Sequence, residues 1–114
     1  ISVDRVLMVQ VLLNLLINGM DAVSGVPMSQ RVVSLGCDVS QEEGWVDLIV
    51  CDGGTGVSPG RFDSIFEFFY STKEDGMGLG LAISRFIIQD HRGQLTVENR
   101  DEGGACFRVR LFTQ

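Results

Sequence analysis

Basic residues are scarce in this sequence. Its 114 residues include 9 Lys and Arg against 15 Asp and Glu, which gives a formal net charge of −6 at pH 7. Binding to nucleic acid or to an acidic membrane surface depends on a positive surface field that such a chain lacks. The composition therefore excludes a general polyanion-binding surface, and an anionic ligand has to be bound by local groups.

Cysteines are few, and long apolar runs are missing. The three cysteines, Cys37, Cys51 and Cys106, lie in apolar, strand-like segments without a Cys-x-x-Cys spacing. This pattern favours reduced core thiols over a disulfide framework or a zinc site. No apolar run approaches the roughly 20 residues that span a bilayer, and no signal-peptide pattern opens the chain. We therefore expect a cytoplasmic domain.

The residues that are present favour a single domain over residues 1–114. Hydrophobic residues make up 45% of the chain, which is enough for one core at this length. Because the sequence does not begin with Met, we expect it to be a fragment of a longer protein, and that parent is either soluble or anchored in a membrane.

The first helix is predicted from Val3 to Val23 and has one polar stripe in an apolar surround. Spacings of four, four and three residues place the stripe on one face of the helix. Its members are Gln10, Asn14, Asn18 and Asp21. An amide removed from water without a partner costs roughly 1 to 3 kcal/mol. The stripe therefore predicts either a bound ligand or ion, or a hydrogen-bonded core network with ordered water.

The rest of the chain alternates between strand patterns, glycine-rich loops and one further helix. A helix opens at residues 76–80 and ends near His91, and residues 57–75 are irregular or weakly helical. The predicted strands are residues 31–39, 45–51, 94–98 and 105–112. This order predicts an α/β two-layer sandwich, in which helices pack on one face of an antiparallel or mixed sheet.

Two loops have the residues of a nucleotide site. Gly76, Gly78 and Gly80 stand where a loop becomes a helix, so backbone N–H groups could approach a phosphate at the positive end of the helix dipole. The same pattern also fits a flexible hinge. Asp52 ends a strand before a glycine-rich turn, where a carboxylate could accept a hydrogen bond from a base amine or simply close an Asp-Gly turn. Lys73 is either a phosphate ligand or a solvated loop residue.

Four segments taken in order are more specific than any one of them. They are QVLLNLLINGMDA at 10–22, DGGTGV at 52–57, IFEFFYSTK at 65–73 and GMGLGLAIS at 76–84. This series resembles the N, G1, F and G2 boxes of the catalytic, ATP-binding domain of bacterial sensor histidine kinases, and it looks closest to the nitrogen-regulation and oxygen-sensing branch. The resemblance covers nearly the whole chain and implies the Bergerat fold, with a mixed, mainly antiparallel sheet.

The resemblance also implies a role for each matching residue. Asn18 would coordinate Mg²⁺ with support from Asn14, and Asp52 would bind the adenine amine, with Gly54 and Gly56 leaving room for the ring. Asn18 and Lys73 would be the catalytic residues. The phosphates would lie against Thr72, Lys73, Gly76, Met77, Gly78, Leu79, Gly80 and Leu81.

The function implied is phosphoryl transfer in two-component signal transduction. The domain would bind Mg²⁺ and ATP and donate the γ-phosphate to a histidine on a separate dimerisation domain of the same parent kinase, which then serves a response regulator. His91, the only histidine, lies at a helix end where a capping or packing role is expected. Neither nucleic acid nor direct membrane contact is expected of this domain.

Other functions share these motifs. A Bergerat ATP hydrolase has a glutamate as the base for water where this chain has Asn14, and an amide cannot accept that proton. A nucleotide-sensing or interaction module without transfer, and a protein serine kinase of the anti-sigma type, are further alternatives. The chain departs from the family pattern at four positions, which predict a looser pocket rim and lid: Gly53, Thr55, Phe68 and Ala105.

Overall fold

The structure, a computed structural model, describes residues 3–67 and 80–112. Two α-helices, four strands and three short 3₁₀ turns make up this part of the chain. The helices and strands are α1 (Arg5–Ala22), β1 (Val33–Ser40), β2 (Trp45–Asp52), α2 (Gly80–Asp90), β3 (Gln94–Asn99) and β4 (Ala105–Phe112), and the 3₁₀ turns are Met28–Gln30, Pro59–Arg61 and Ser64–Phe66. Every predicted helix and strand is found. The predictions for residues 68–79 lie outside the described residues: Phe68, Thr72, Lys73, Gly76, Met77, Gly78 and Leu79.

The four strands form one sheet in the order β1-β2-β4-β3. All three neighbouring pairs are antiparallel. The mainly antiparallel sheet is confirmed, and within residues 3–67 and 80–112 no parallel pair occurs.

Both helices pack on one face of this sheet. Helix α1 contacts β2 and α2, and α2 contacts β3. The core forms because apolar residues recur every three or four positions on the helices and every second position on β4. Its least accessible side chains are Val11, Leu15, Val50, Ile88 and Val109. The two-layer α/β sandwich is therefore confirmed.

Helix α1 is less buried than its apolar sequence suggests. Leu13 and Ile17 are exposed, and so is Met20 at 62%. The ends of the predicted polar stripe, Gln10 and Asp21, are exposed as well. By length and composition alone α1 is apolar enough to cross a membrane, so the expectation that no run approaches this size was wrong, although α1 packs here as a surface helix of the domain.

The start of α1 and the end of α2 are joined through His91. The backbone N–H of Asp4, the residue before α1, donates to His91 Nε2 at 3.1 Å, and His91 Nδ1 lies 2.8 Å from the carbonyl oxygen of Ile87. One neutral tautomer, with the proton on Nδ1, satisfies both contacts. The predicted packing role of His91 is confirmed.

The cysteines differ from the expectation. Cys51 on β2 and Cys106 on β4 are directly opposite each other and form a disulfide, and Cys37 on β1 is exposed. Three reduced core thiols were therefore the wrong prediction. Local sequence cannot reveal which strand residues are paired, and in this register Cys51 and Cys106 alternate with the core residues Val50 and Phe107.

Candidate nucleotide site

Asp52 is a buried carboxylate at the end of β2, with 2% of its surface exposed. Its Oδ1 accepts hydrogen bonds from the backbone N–H of Gly54 at 2.9 Å and of Ala105 at 3.4 Å. Among the residues that the structure describes, Oδ2 has no hydrogen-bond partner. The carboxylate is therefore oriented through one oxygen, while the other can accept a hydrogen bond from a ligand. Both of the sequence alternatives for Asp52, turn closure and ligand binding, are compatible with this geometry.

The turn between β3 and β4 contacts the backbone carbonyl oxygen of Asp52. Arg100 Nη1 donates to the backbone carbonyl oxygen of Asp52 at 3.2 Å. Gly104 has a φ of +91°, and a Cβ added to it would lie 1.9 Å from that carbonyl oxygen. Only glycine fits this close approach, because any other residue would collide with the backbone of Asp52.

Helix α1 packs closely against the sheet because two glycines remove side chains from the contact. A Cβ on Gly19 of α1 would be 3.1 Å from Cγ1 of Val33 on β1, and a Cβ on Gly54 would be 2.6 Å from the carbonyl oxygen of Ala22. The space that Gly54 leaves is filled by α1 itself. Its predicted role, making room for a ring, is untested, and its packing against α1 is a sufficient reason for glycine.

The rim of the loop is closely packed. A Cβ on Gly53 would be 2.2 Å from the carbonyl oxygen of Gln30, and the Gly53 N–H donates to the carbonyl oxygen of Val32 at 3.0 Å. Gly56 has a φ of +79° and lies against the Asn99 side chain. The loose rim expected from the extra glycine at position 53 is therefore wrong, since glycine is what permits this tight contact.

Asn14 joins the two helices. Its Nδ2 donates to the carbonyl oxygen of Gly80 at 3.3 Å and to Ser84 Oγ at 3.2 Å, and Ser84 is fully buried. These bonds fit a hydrogen-bonded core network at Nδ2 of Asn14, and its predicted contact with the nucleotide stays a prediction. Asn18, one turn further along α1, is half-buried and has no hydrogen-bond partner within residues 3–67 and 80–112.

Asn18 has the chemistry expected of a magnesium ligand. Mg²⁺ takes oxygen ligands and keeps several waters, so a single amide oxygen beside substrate phosphates suits it. In the described part of the chain, no group of three or more His, Cys, Asp or Glu could hold a metal. A metal here would depend on Asn18 and on a bound nucleotide rather than on a protein cage.

The predicted site residues in the described chain fall into two groups. Asp52 and Gly54 lie against the last turns of α1, and Gly80 lies at Asn14. Leu81 is partly buried and packs against the core. Its predicted contact with the phosphates stays a prediction. Sequence reasoning missed Ser84 and Arg100. Ser84 had one available signal, since a serine on the apolar face of α2 needs a hydrogen-bond partner.

A second buried carboxylate, Asp47, lies on the opposite face of β2. Arg110 donates to Oδ1 through Nε at 2.8 Å and to Oδ2 through Nη2 at 2.9 Å, and Arg108 also donates to Oδ2. The hydrogen bond from Arg110 is the largest cause that lowers the pKa of Asp47 below its ordinary value of 3.8, with Arg108 adding to it and burial opposing it. The Arg110 guanidinium also lies 4.1 Å from the Trp45 ring centre.

Comparison with known proteins places this geometry in a family. Residues 3–114 match the model of the histidine kinase-, DNA gyrase B- and HSP90-like ATPases. The chain belongs to this family, and its sheet and helices are those of the Bergerat fold.

Within this family, the similar proteins are sensor kinases of two-component systems and the catalytic domains of histidine kinases. The chain is 44% identical over 105 residues to the two-component sensor PprA of Pseudomonas aeruginosa, covering 90% of this chain and 11% of that protein. It is 37% identical to the sensor protein FixL of Bradyrhizobium diazoefficiens, covering 95% and 21%. The catalytic domain of the histidine kinase ThkA superposes with a TM-score of 0.83 at 29% identity, covering 97% and 70%. The resemblance to histidine kinase catalytic domains is confirmed.

Proposed function

We propose that this domain binds Mg²⁺ and ATP with Asp52 as the acceptor for the adenine amine. The observation that carries the proposal is the state of that carboxylate: buried, oriented by two backbone N–H groups through Oδ1, and without a described partner at Oδ2. No buried side-chain oxygen or nitrogen of the described residues lacks a hydrogen-bond partner, so Oδ2 is reached by solvent and can accept a hydrogen bond from a ligand instead. The similar structure of full-length ShkA was solved with AMPPNP, an ATP analogue.

Asn18 and the start of α2 would serve the phosphates. Bound Mg²⁺ would neutralise phosphate charge during transfer. Asn18 offers a free amide oxygen, while Asn14 orients the first turn of α2 through Gly80 and Ser84. The remaining proposed contacts lie outside the described residues, at Thr72, Lys73, Gly76, Met77, Gly78 and Leu79.

We propose that the acceptor of the γ-phosphate is a histidine on a separate dimerisation domain. That histidine would then pass the phosphoryl group to a response regulator. The chain spans 11% to 21% of the lengths of the PprA and FixL relatives, so such a domain would belong to the rest of the parent protein. His91 is unsuited to this role, because both of its ring nitrogens contact the backbone. ATP hydrolysis is disfavoured, because Asn14 stands where a hydrolase has its glutamate base, and an amide is too weak a base to take a proton from water. An ATP-binding domain of this kind would act in the cytoplasm.

Calorimetric titration with AMPPNP, with and without Mg²⁺, tests the site. The unmodified chain should bind more tightly with Mg²⁺, and Asn18→Ala should lose that gain, a loss of about tenfold or about 1.4 kcal/mol. Gln10→Ala is the matched control, because it also truncates an amide on the same helix, two turns away at an exposed position. Equal binding with and without Mg²⁺ in the unmodified chain would contradict the proposed role of Asn18.

Transfer is tested by adding the dimerisation domain of the parent kinase and ATP labelled at the γ-phosphate. Label should move to a histidine of the added domain as an acid-labile phosphoprotein, and the chain alone should remain unlabelled. Acid-stable label would indicate a serine kinase instead. Binding without transfer would support the interaction-module alternative.

A further inference from the structure

We propose that Cys51 and Cys106 form a reversible redox site that controls nucleotide affinity through Asp52. The effect on nucleotide affinity rests on the proposed function, whereas formation of the Cys51–Cys106 pair does not depend on it. The two residues are directly opposite each other on β2 and β4 and are joined by a disulfide. Nothing in the nucleotide chemistry requires either sulfur.

The disulfide lies next to the hydrogen bonds that orient Asp52. Cys51 directly precedes Asp52, and Cys106 directly follows Ala105, whose N–H donates to Asp52 Oδ1 at 3.4 Å. This bond is the longer of the two at Oδ1, and it spans the same two strand ends that the disulfide joins. A covalent link one residue away therefore limits how far these ends can separate.

The pair is accessible to small thiols. Both cysteines are partly exposed, and they alternate along their strands with the core residues Val50 and Phe107. Their cross-strand neighbours are polar, Ser34 beside Cys51 and Glu98 beside Cys106. Disulfides in a compartment that keeps thiols reduced are usually transient or redox-sensing rather than structural. The cytoplasm, which we propose as the location of this domain, is such a compartment.

The chemistry is thiol–disulfide exchange with a low-molecular-weight disulfide. The thiolate of one cysteine attacks a sulfur of the small disulfide, which forms a mixed disulfide and releases one small thiol. The second cysteine then attacks the mixed disulfide, closing the Cys51–Cys106 bond and releasing the second small thiol. The protein loses two electrons and two protons, and the two small thiols take up both.

The oxidised form is the tighter nucleotide binder in this proposal. With the link in place, the Ala105 N–H stays within reach of Asp52 Oδ1, so Oδ2 keeps its position for the adenine amine. Reduction removes the link at the last pair of the β2–β4 ladder, so the strand ends can fray there, while Arg100 still contacts the backbone carbonyl oxygen of Asp52. The side-chain carboxylate is then oriented mainly by the bond from Gly54.

The test uses the full 114-residue chain equilibrated with oxidised or with reduced glutathione. Alkylation followed by peptide mass mapping should show Cys51 and Cys106 protected only in the oxidised sample. Titration with Mg²⁺ and ADP should show affinity lower by at least about fivefold in the reduced sample, the lower end of typical coupling between sites. Far-UV circular dichroism of both samples shows whether the reduced chain stays folded.

Matched variants separate this site from general thiol effects. Cys37→Ser removes the exposed cysteine and should leave the redox response unchanged, whereas the double variant with Cys51→Ser and Cys106→Ser should bind like reduced protein under both conditions. Alkylation of both cysteines in the oxidised sample would overturn the pair itself, and equal affinity of the folded oxidised and reduced chains would overturn its control of the site. If neither form binds nucleotide, the proposed function and the coupling both fail, while the mapping still decides whether the pair forms.

Discussion

Two buried aspartates on the same strand differ in what surrounds their oxygens. Asp47 is 0% exposed, and both of its oxygens accept hydrogen bonds from arginines of β4. Asp52 is 2% exposed, and in the described chain only its Oδ1 is engaged, by backbone N–H groups. They lie five residues apart and therefore on opposite faces of the sheet.

Burial alone therefore does not mark a binding residue. Arg108 and Arg110 donate hydrogen bonds to both oxygens of Asp47. Such a carboxylate stabilises the fold and has no oxygen left without a partner for a ligand to contact. At Asp52 one oxygen stays open to solvent, since no buried polar side-chain atom of the described residues lacks a partner, and a ligand can donate to that oxygen in place of water. The same substitution at each position should therefore affect different properties.

The largest expected effect is that of Asp52→Asn on nucleotide affinity. The asparagine Oδ1 can still accept from Gly54 and Ala105, which directs its N–H₂ at the adenine amine, donor against donor. Leaving a buried donor unpaired costs roughly 1 to 3 kcal/mol, so ADP affinity should fall by about 5- to 150-fold. Calorimetric titration of the folded variant measures this.

Inosine diphosphate sharpens the test of Asp52. Its base has a carbonyl in place of the amine, so the asparagine N–H₂ can donate to it, and Asp52→Asn should favour inosine diphosphate over ADP while the unmodified chain prefers ADP. An unchanged base preference would show that Asp52 does not contact the base.

Asp47→Asn should reduce stability and leave affinity alone. The amide nitrogen would face a guanidinium, and the charge that pairs with Arg108 and Arg110 would be lost. Because these arginine side chains are 31% to 35% exposed and can be solvated, we expect a loss of about 2 kcal/mol in the free energy of unfolding by urea. Nucleotide affinity should remain within about twofold, less than half a kcal/mol.

Asp38→Asn is the control for Asp47. Asp38 is exposed and lies directly opposite Asp47 on β1, where like charges oppose each other. Removing its charge should leave stability unchanged or raise it by up to about 0.5 kcal/mol. A loss at Asp38 as large as that at Asp47 would show that sheet charge in general, rather than the arginine pairing, sets the stability.

The smallest expected effect is the pH dependence of the Asp47 contribution. Since Arg110 lowers the pKa of Asp47 in the folded chain, its stabilisation is complete above the ordinary value of 3.8 and is lost as pH falls from 3.8 through the lower folded-state pKa. The stability difference between the unmodified chain and Asp47→Asn should therefore be constant from pH 5 to 7 and smaller near pH 3. Urea titrations of both proteins at each pH measure it, and a difference that grows in acid would contradict the arginine pairing.

Helices, strands and the four motifs were predictable because they depend on local periodicity and on residue types at set spacings. Asp52 and Asn14 were also identified in this way. The sequence did not distinguish the roles of Asp47 and Asp52, since the arginine partners of Asp47 are 61 and 63 residues away along the chain. The exposure of Leu13 and Ile17 was missed for a similar reason, because a helix sequence does not show how much of its surface the neighbouring sheet covers.

Gly53, Gly54 and Gly104 are required by the packing of the chain, whether or not the domain binds a nucleotide. At each, an added Cβ would lie 2.6 Å or less from a backbone carbonyl oxygen of this same chain. A descendant that had ceased to use nucleotides would still need these glycines in order to fold, so it would keep Gly54 of the DGGTGV segment. The presence of that glycine therefore indicates descent, whereas Oδ2 of Asp52, which no described residue contacts, is the group that such a descendant could lose without losing a contact.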